Sequence, residues 1–136
     1  MIIKKRVPLV AFQTAMYSLL TAGQTTPVYD DVPEDAVLPY VTFGGFTAKQ
    51  SGTKTTNAWD ISQQIHIWSE YQGKKEVNEI ADDVSTVLSS VLLDLSATSF
   101  KTIAQDIDFF EAFEEDDGGY HGVLTFTAKI QDLGGK

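Results

Sequence analysis

Two runs of carboxylates, two histidines and the glycine pairs at 44–45 and 118–119 are the residues whose types and spacing could do chemistry in this chain. Asp30, Asp31, Glu34 and Asp35 offer the hard oxygen ligands that Mg²⁺ or Ca²⁺ takes, and so the makings of a metal-dependent hydrolase. Their spacing fits no calcium loop. Acids flanking Pro33 in an extended segment point apart, which makes a solvated linker or a subunit contact the simpler reading. Glu114, Glu115, Asp116 and Asp117 precede Gly118-Gly119 and read as the charged tip of a hairpin, where like charge also discourages edge aggregation. His66 and His121 are the only histidines. Catalysis would need one of them held by a carboxylate beside a nucleophile, and neither lies in such a motif, so a packed or interface role is expected. Gly44-Gly45 falls inside a strand pattern and Gly118-Gly119 in a turn; neither has the strand-to-helix context of a phosphate-binding loop. No catalytic, cofactor-binding or metal-binding residue is expected, and no cofactor.

The bulk properties narrow the classes further. At 136 residues the chain fits one domain, long enough to bury roughly two-thirds of its extended surface without metal or disulfide help. Its 43% hydrophobic and 21% charged residues are those of a globular protein rather than an acidic disordered tail. The absence of cysteine excludes disulfides, thiol chemistry and thiolate metal ligands, and is compatible with assembly in a reducing cytoplasm. A net charge of -9 argues against gripping nucleic acid through its phosphates. It is compatible with DNA sliding past an acidic wall, since a polyanion that must move should not stick. Lys4-Lys5-Arg6 before an apolar run resembles the start of a signal peptide, but Gln13 and Thr14 interrupt that run and no small-residue cleavage site follows, so an amphipathic helix is expected. The run is also too short for a membrane span.

The elements that must position these groups follow from periodicity. Leu9, Phe12, Met16, Leu19 and Leu20 recur at helical spacing, giving a first helix from about Pro8 to Ala22 that Gly23 could end in a left-handed conformation. Residues 24–39 carry three prolines and read as an extended connection. Tyr40 to Ala48 is a strand with a bulge at Gly44-Gly45; residues 49–57 form a mobile loop; and Trp59, Ile61, Ile65 and Ile67 alternate as a half-buried strand. Val77, Ile80, Ala81, Val84, Val87, Leu88 and Val91 make one helical stripe. Ile103, Ile107, Phe109 and Phe113 alternate in a further strand, paired through the acidic turn with Leu124, Phe126, Ala128 and Ile130. The expected class is α+β, in the order α-β-β-α-β-β, with an antiparallel or mixed four-stranded sheet, helices on one face and a frayed tail over about 132–136. Trp68, Phe110 and Tyr120 fall in polar phases or at a hairpin end, where a helix or another subunit must cover them.

The order Val28-Tyr29-Asp30-Asp31-Val32-Pro33-Glu34-Asp35, Leu38-Pro39-Tyr40-Val41, Ile65-His66-Ile67-Trp68-Ser69, the helix from Gly73 to Leu92 and the late strand His121-Gly122-Val123-Leu124-Thr125-Phe126 resembles the tail completion, or tail-to-head joining, proteins of bacteriophages with long non-contractile tails. These are small domains related to tail terminators. The likeness runs in order along nearly the whole chain, so residues 1–136 are expected as a single tail-completion-like domain. The resemblance implies a non-enzymatic ring, a hexamer, in the virion after assembly in the host cytoplasm. The ring would contact the tail tube protein and the head connector or head completion protein, with DNA passing through without specific binding and no membrane partner. It carries no catalytic residue over. Lys49, Lys54, Trp68, Phe110, Glu114, Glu115, Asp116 and Asp117 are the candidate interface or lumen residues. A head-side connector, a tail-tube subunit, a host adaptor domain and a hydrolase using the acids at 30–35 are the competing readings.

Overall fold

The computed structural model describes residues 6–134; expectations for residues 1–5 and 135–136 lie outside them. Helix α1 (Leu9–Gly23) is followed by β1 (Val28–Tyr29), β2 (Tyr40–Gln50), β3 (Asn57–Ser69), α2 (Lys75–Ser90), a 3₁₀ turn (Ser96–Thr98), β4 (Phe100–Glu114) and β5 (Tyr120–Asp132). The strands form one mixed sheet in the order β1-β2-β3-β5-β4, with β1 parallel to β2 and every other pair antiparallel. The class is the α+β expected, and both hairpins are present. The sheet gains a fifth strand because Val28 and Tyr29, inside the expected connection, pair with Val41 and Thr42.

Both helices cover one face. Phe12, Met16 and Leu20 of α1 and Val77, Ile80, Ala81, Val84 and Leu88 of α2 bury against Ile61, Ile65, Ile67, Leu124, Phe126 and Ile130 of the sheet. This is the period-3.6 stripe meeting the period-2 face, and its burial is the main source of stability. The helices approach closely at Gly23, where an added Cβ would lie 2.8 Å from a Val87 methyl. Gly23 is therefore small for packing and is not a left-handed cap; α1 ends instead at Gln24, whose Nε2 donates to the carbonyls of Leu20 (2.9 Å) and Thr26 (2.8 Å). Such side-chain donors satisfy carbonyls that a helix end leaves open. At the end of α2, Gln105 of β4 donates to the carbonyls of Leu88 (2.8 Å) and Val91 (2.6 Å). The chain turns extended at Val91, so Val91 leaves the expected stripe and is exposed.

Three other expectations are corrected. In β4 the alternation is shifted by irregularities between Thr102 and Ala104 and between Ile107 and Phe109. Each bulge reverses the side-chain phase, so Thr102 is buried and Phe110 packs toward the core, while Ile103 and Phe109 are exposed. The loop after β2 is shorter than residues 49–57: Lys49 and Gln50 pair with Asp60 and Trp59, and the remainder is closed by Ser51 N–H to the Ala58 carbonyl (2.9 Å) and Thr53 N–H to the Thr56 carbonyl (2.8 Å). Asp132 is not frayed. It ends β5 and binds Arg6 at 2.6 Å, while the Arg6 guanidinium also donates to the carbonyls of Thr98 and Ser99 and lies 4.3 Å over the Phe100 ring.

Candidate functional site

The face of the sheet opposite the helices carries the most concentrated polar chemistry of the described residues. β3 and β5 pair with Trp68 opposite His121 and His66 opposite Val123, which sets the two imidazoles on a diagonal. His66 Nδ1 lies 2.6 Å from His121 Nε2, and His121 Nδ1 lies 2.6 Å from Glu115 Oε1. The Trp68 indole stacks on His121 with centroids 3.8 Å apart and planes at 15°, and Phe113 lies at 4.9 Å on the same imidazole. Trp68 Nε1 donates to Thr42 Oγ1 (3.0 Å), which ties the indole to β2. Gly44 belongs to this arrangement, because a Cβ there would come 2.1 Å from His66 Nε2.

The carboxylate accepts from His121 Nδ1–H, and the two imidazoles share one N–H between Nδ1 of His66 and Nε2 of His121. His66 is held below the ordinary histidine pKa, first by burial and then by the neighbouring His121. A carboxylate–imidazole–imidazole row can relay or store a proton, but it faces no nucleophile: Thr42 Oγ1 is occupied by Trp68, and the buried Ser69 Oγ donates to Glu76 at 2.6 Å. Among the described residues no group of three His, Asp or Glu side chains is placed to hold a metal ion.

The sequence-derived candidates scatter around this row. Trp68 is in it. Glu115 is its carboxylate end rather than only a solvated tip, while Asp117 accepts from the Gly119 N–H (3.0 Å) and Glu114 and Asp116 are exposed. Asp116 and Asp117 join Trp68, Tyr40 and Tyr120 around one cleft; Asp30 and Asp31 border a second cleft on another side of Trp68, and Glu34 and Asp35 stand apart in solvent. Phe110 lies on the helix side, 3.1 Å from where a Gly122 Cβ would be. Lys49 is exposed beside Asp60, and Lys54 sits in the β2–β3 loop. Sequence reasoning missed the histidine pair because 55 residues separate its members. The one available signal was that His66 and Trp68 share a strand phase, as do His121 and Val123.

A second surface lies at the helical side. A groove of about 840 Å³ runs between the start of α1 and residues 91–100, with Leu9, Val10, Val91 and Leu92 exposed along it. No described helix is long and apolar enough to cross a membrane.

Comparison with known proteins places these features in context. The family model described as Tail completion protein gp17 matches residues 14–131. No curated protein matches the chain. Among solved structures, a chain from the virion of a native gene transfer agent (GTA) particle superposes with a TM-score of 0.78 at 20% identity, over 93% of this chain and 99% of that one. The gp17 protein of bacteriophage SPP1 superposes with a TM-score of 0.59 at 20% identity, over 93% of this chain and 95% of that one. At such identities the likeness is one of fold, and it spans each protein nearly end to end.

Proposed function

We propose, from the premise that this chain belongs to the tail completion protein gp17 family, that it is a non-enzymatic structural protein of a phage-like virion. In this reading it closes the head-proximal end of the tail as a ring, a hexamer, and joins the tail tube protein to the head connector or head completion protein. The observation that carries the reading is the family match, which spans both helices and all five strands apart from the first residues of α1 and the last of β5.

Several features support it physically. A ring of identical subunits needs two different faces that meet heterologously and close by rotation. The chain offers an apolar groove beside α1, contiguous exposed apolar surface of the kind that marks protein contacts, and separate exposed apolar residues, Ile103 and Phe109, on the edge strand β4. The net charge of -9 suits a lumen that DNA traverses without specific binding. Lys49, Lys54, Trp68 and the acids from Glu114 to Asp117 then belong to interface or lumen surfaces, while Phe110 acts through the core.

The test is complementation. Particles assembled without this chain should accumulate as separate full heads and unjoined tails, and purified protein should restore joined, infectious particles. Normal joining in its absence would overturn the reading.

A further inference from the structure

The Glu115–His121–His66 row serves neither the core nor any step of the proposed assembly role, yet Trp68, Phe113 and Gly44 are all arranged around it. We propose that the row is a proton-operated latch, which clips the tip of the β4–β5 hairpin to the middle of the sheet and opens between the two imidazoles when both are protonated.

The proton count follows from the donors and acceptors. With both imidazoles neutral, His66 Nδ1–H donates to His121 Nε2 and His121 Nδ1–H donates to Glu115, so the row is complete. One added proton enters at His66 Nε2, and the Nδ1 proton passes to His121 Nε2. His121 is then the cation, donating to Glu115 on one side and to His66 Nδ1 on the other. The row is still complete, and the cation stacks on the Trp68 ring at 3.8 Å. A second proton has no such place. It puts an N–H on His66 Nδ1 against the N–H of His121 Nε2, two like charges across a 2.6 Å contact, and the bond is lost. His66 Nε2 packs against Gly44, in the space that a Cβ there would fill.

Carboxylates dominate the charges near the row. From β4 the groups on this face are Glu111, two pairs along from Phe113, and the more distant Asp106; the turn adds Glu115, Asp116 and Asp117, and the segment after β1 adds Asp30 and Asp31 across Trp68. The β2 residues in contact, Thr42 and Gly44, carry no charge, and the charges that β3 and β5 add on this face, Asp60 and Lys129, pair with each other toward the far end of the strands. The nearest charges are therefore mostly carboxylates, while burial and then the neighbouring His121 hold the His66 pKa below its ordinary value. Opening releases His66 of β3 from the end of the hairpin, while Glu115 stays bound to the His121 cation and the turn keeps its own backbone bonds.

The experiment follows the imidazole nitrogens of the intact chain by NMR from about pH 8 to about pH 4.5, with amide exchange and with Trp68 emission in a Trp59→Phe background. The expected result is two coupled imidazole steps. At the second, exchange at the terminal β3–β5 pairs, Trp68 with His121 and Ser69 with Tyr120, should rise by about tenfold or more while Ile65 and Phe126 stay protected. His66→Gln should abolish that opening, because its amide cannot take the second proton. Independent single titrations with unchanged exchange at those terminal pairs, simultaneous loss of core protection, or opening retained in His66→Gln would each overturn the latch. Should His66→Gln fail to fold, the wild-type titration and exchange data decide alone.

Discussion

Gly44 shows how one residue type is fixed by a distant side chain. Its missing Cβ is the space that the His66 ring occupies, whereas at the adjacent Gly45 an added Cβ would meet only Gln64 Oε1, at 3.3 Å. Gly44→Ala should therefore cost about 1–3 kcal/mol in urea unfolding, as overpacking does, and Gly45→Ala clearly less. Two residues also set the acid response. The depressed pKa of His66 means the folded state holds fewer protons there than the unfolded chain, so its contribution is full above the ordinary histidine pKa of about 6.5 and is lost as pH falls below it through the folded value. Asp132 is likewise depressed, chiefly by the hydrogen bond from Arg6, so its contribution persists above the ordinary carboxylate range and is lost as pH falls through it. Wild-type stability should decline in two separate acid windows. His66→Gln should remove the upper one and Asp132→Asn should shrink the lower, to which the depressed Asp94 also contributes, as read by denaturant midpoints at stepped pH; a single window unaffected by either variant would contradict this. At this scale the sequence was least legible. The acids and histidines were visible as types, but the row they form depends on the register of β3 against β5, which no local pattern encodes.

At the scale of elements the sequence was far more readable, since each long element repeats its period several times. The α2 stripe, the alternation of β3 and β5 and the acidic turn stand where periodicity placed them. Some failures were interruptions of a period: two bulges in β4 that exchange the faces of Phe109 and Phe110, and the extended turn that takes Val91 off the helix. The two-residue β1 was invisible because its pairing with β2 rests on Val28 and Tyr29 alone. The β2–β3 loop separates packing from assembly most cleanly. Residues 52–55 are exposed, and the hairpin register from Tyr40 to Gln50 is fixed by its own ladder. Replacing 52–55 with a short glycine-containing turn should leave thermal stability nearly unchanged while impairing head–tail joining. Fully infectious particles from that variant would remove the loop from the joint.

For the whole molecule, the helices and sheet enclose one core, while one sheet face, a long edge strand and an apolar groove remain open to partners. That division, stability on one side and available surface on the others, suits a subunit that completes its contacts only in an assembly. Family membership was legible in the sequence through the order of short segments, each of them unremarkable alone, and the family match confirms it over residues 14–131. The ring, by contrast, is a property of several copies and no single chain encodes it locally. Mixing the purified protein with separately prepared heads and tails, and locating it by electron microscopy, tests the central claim most directly. The account predicts one ring per tail, at the end that meets the head, with joined particles appearing only when it is present. Stacked tubes of this protein, or its attachment to heads with none on tails, would contradict it.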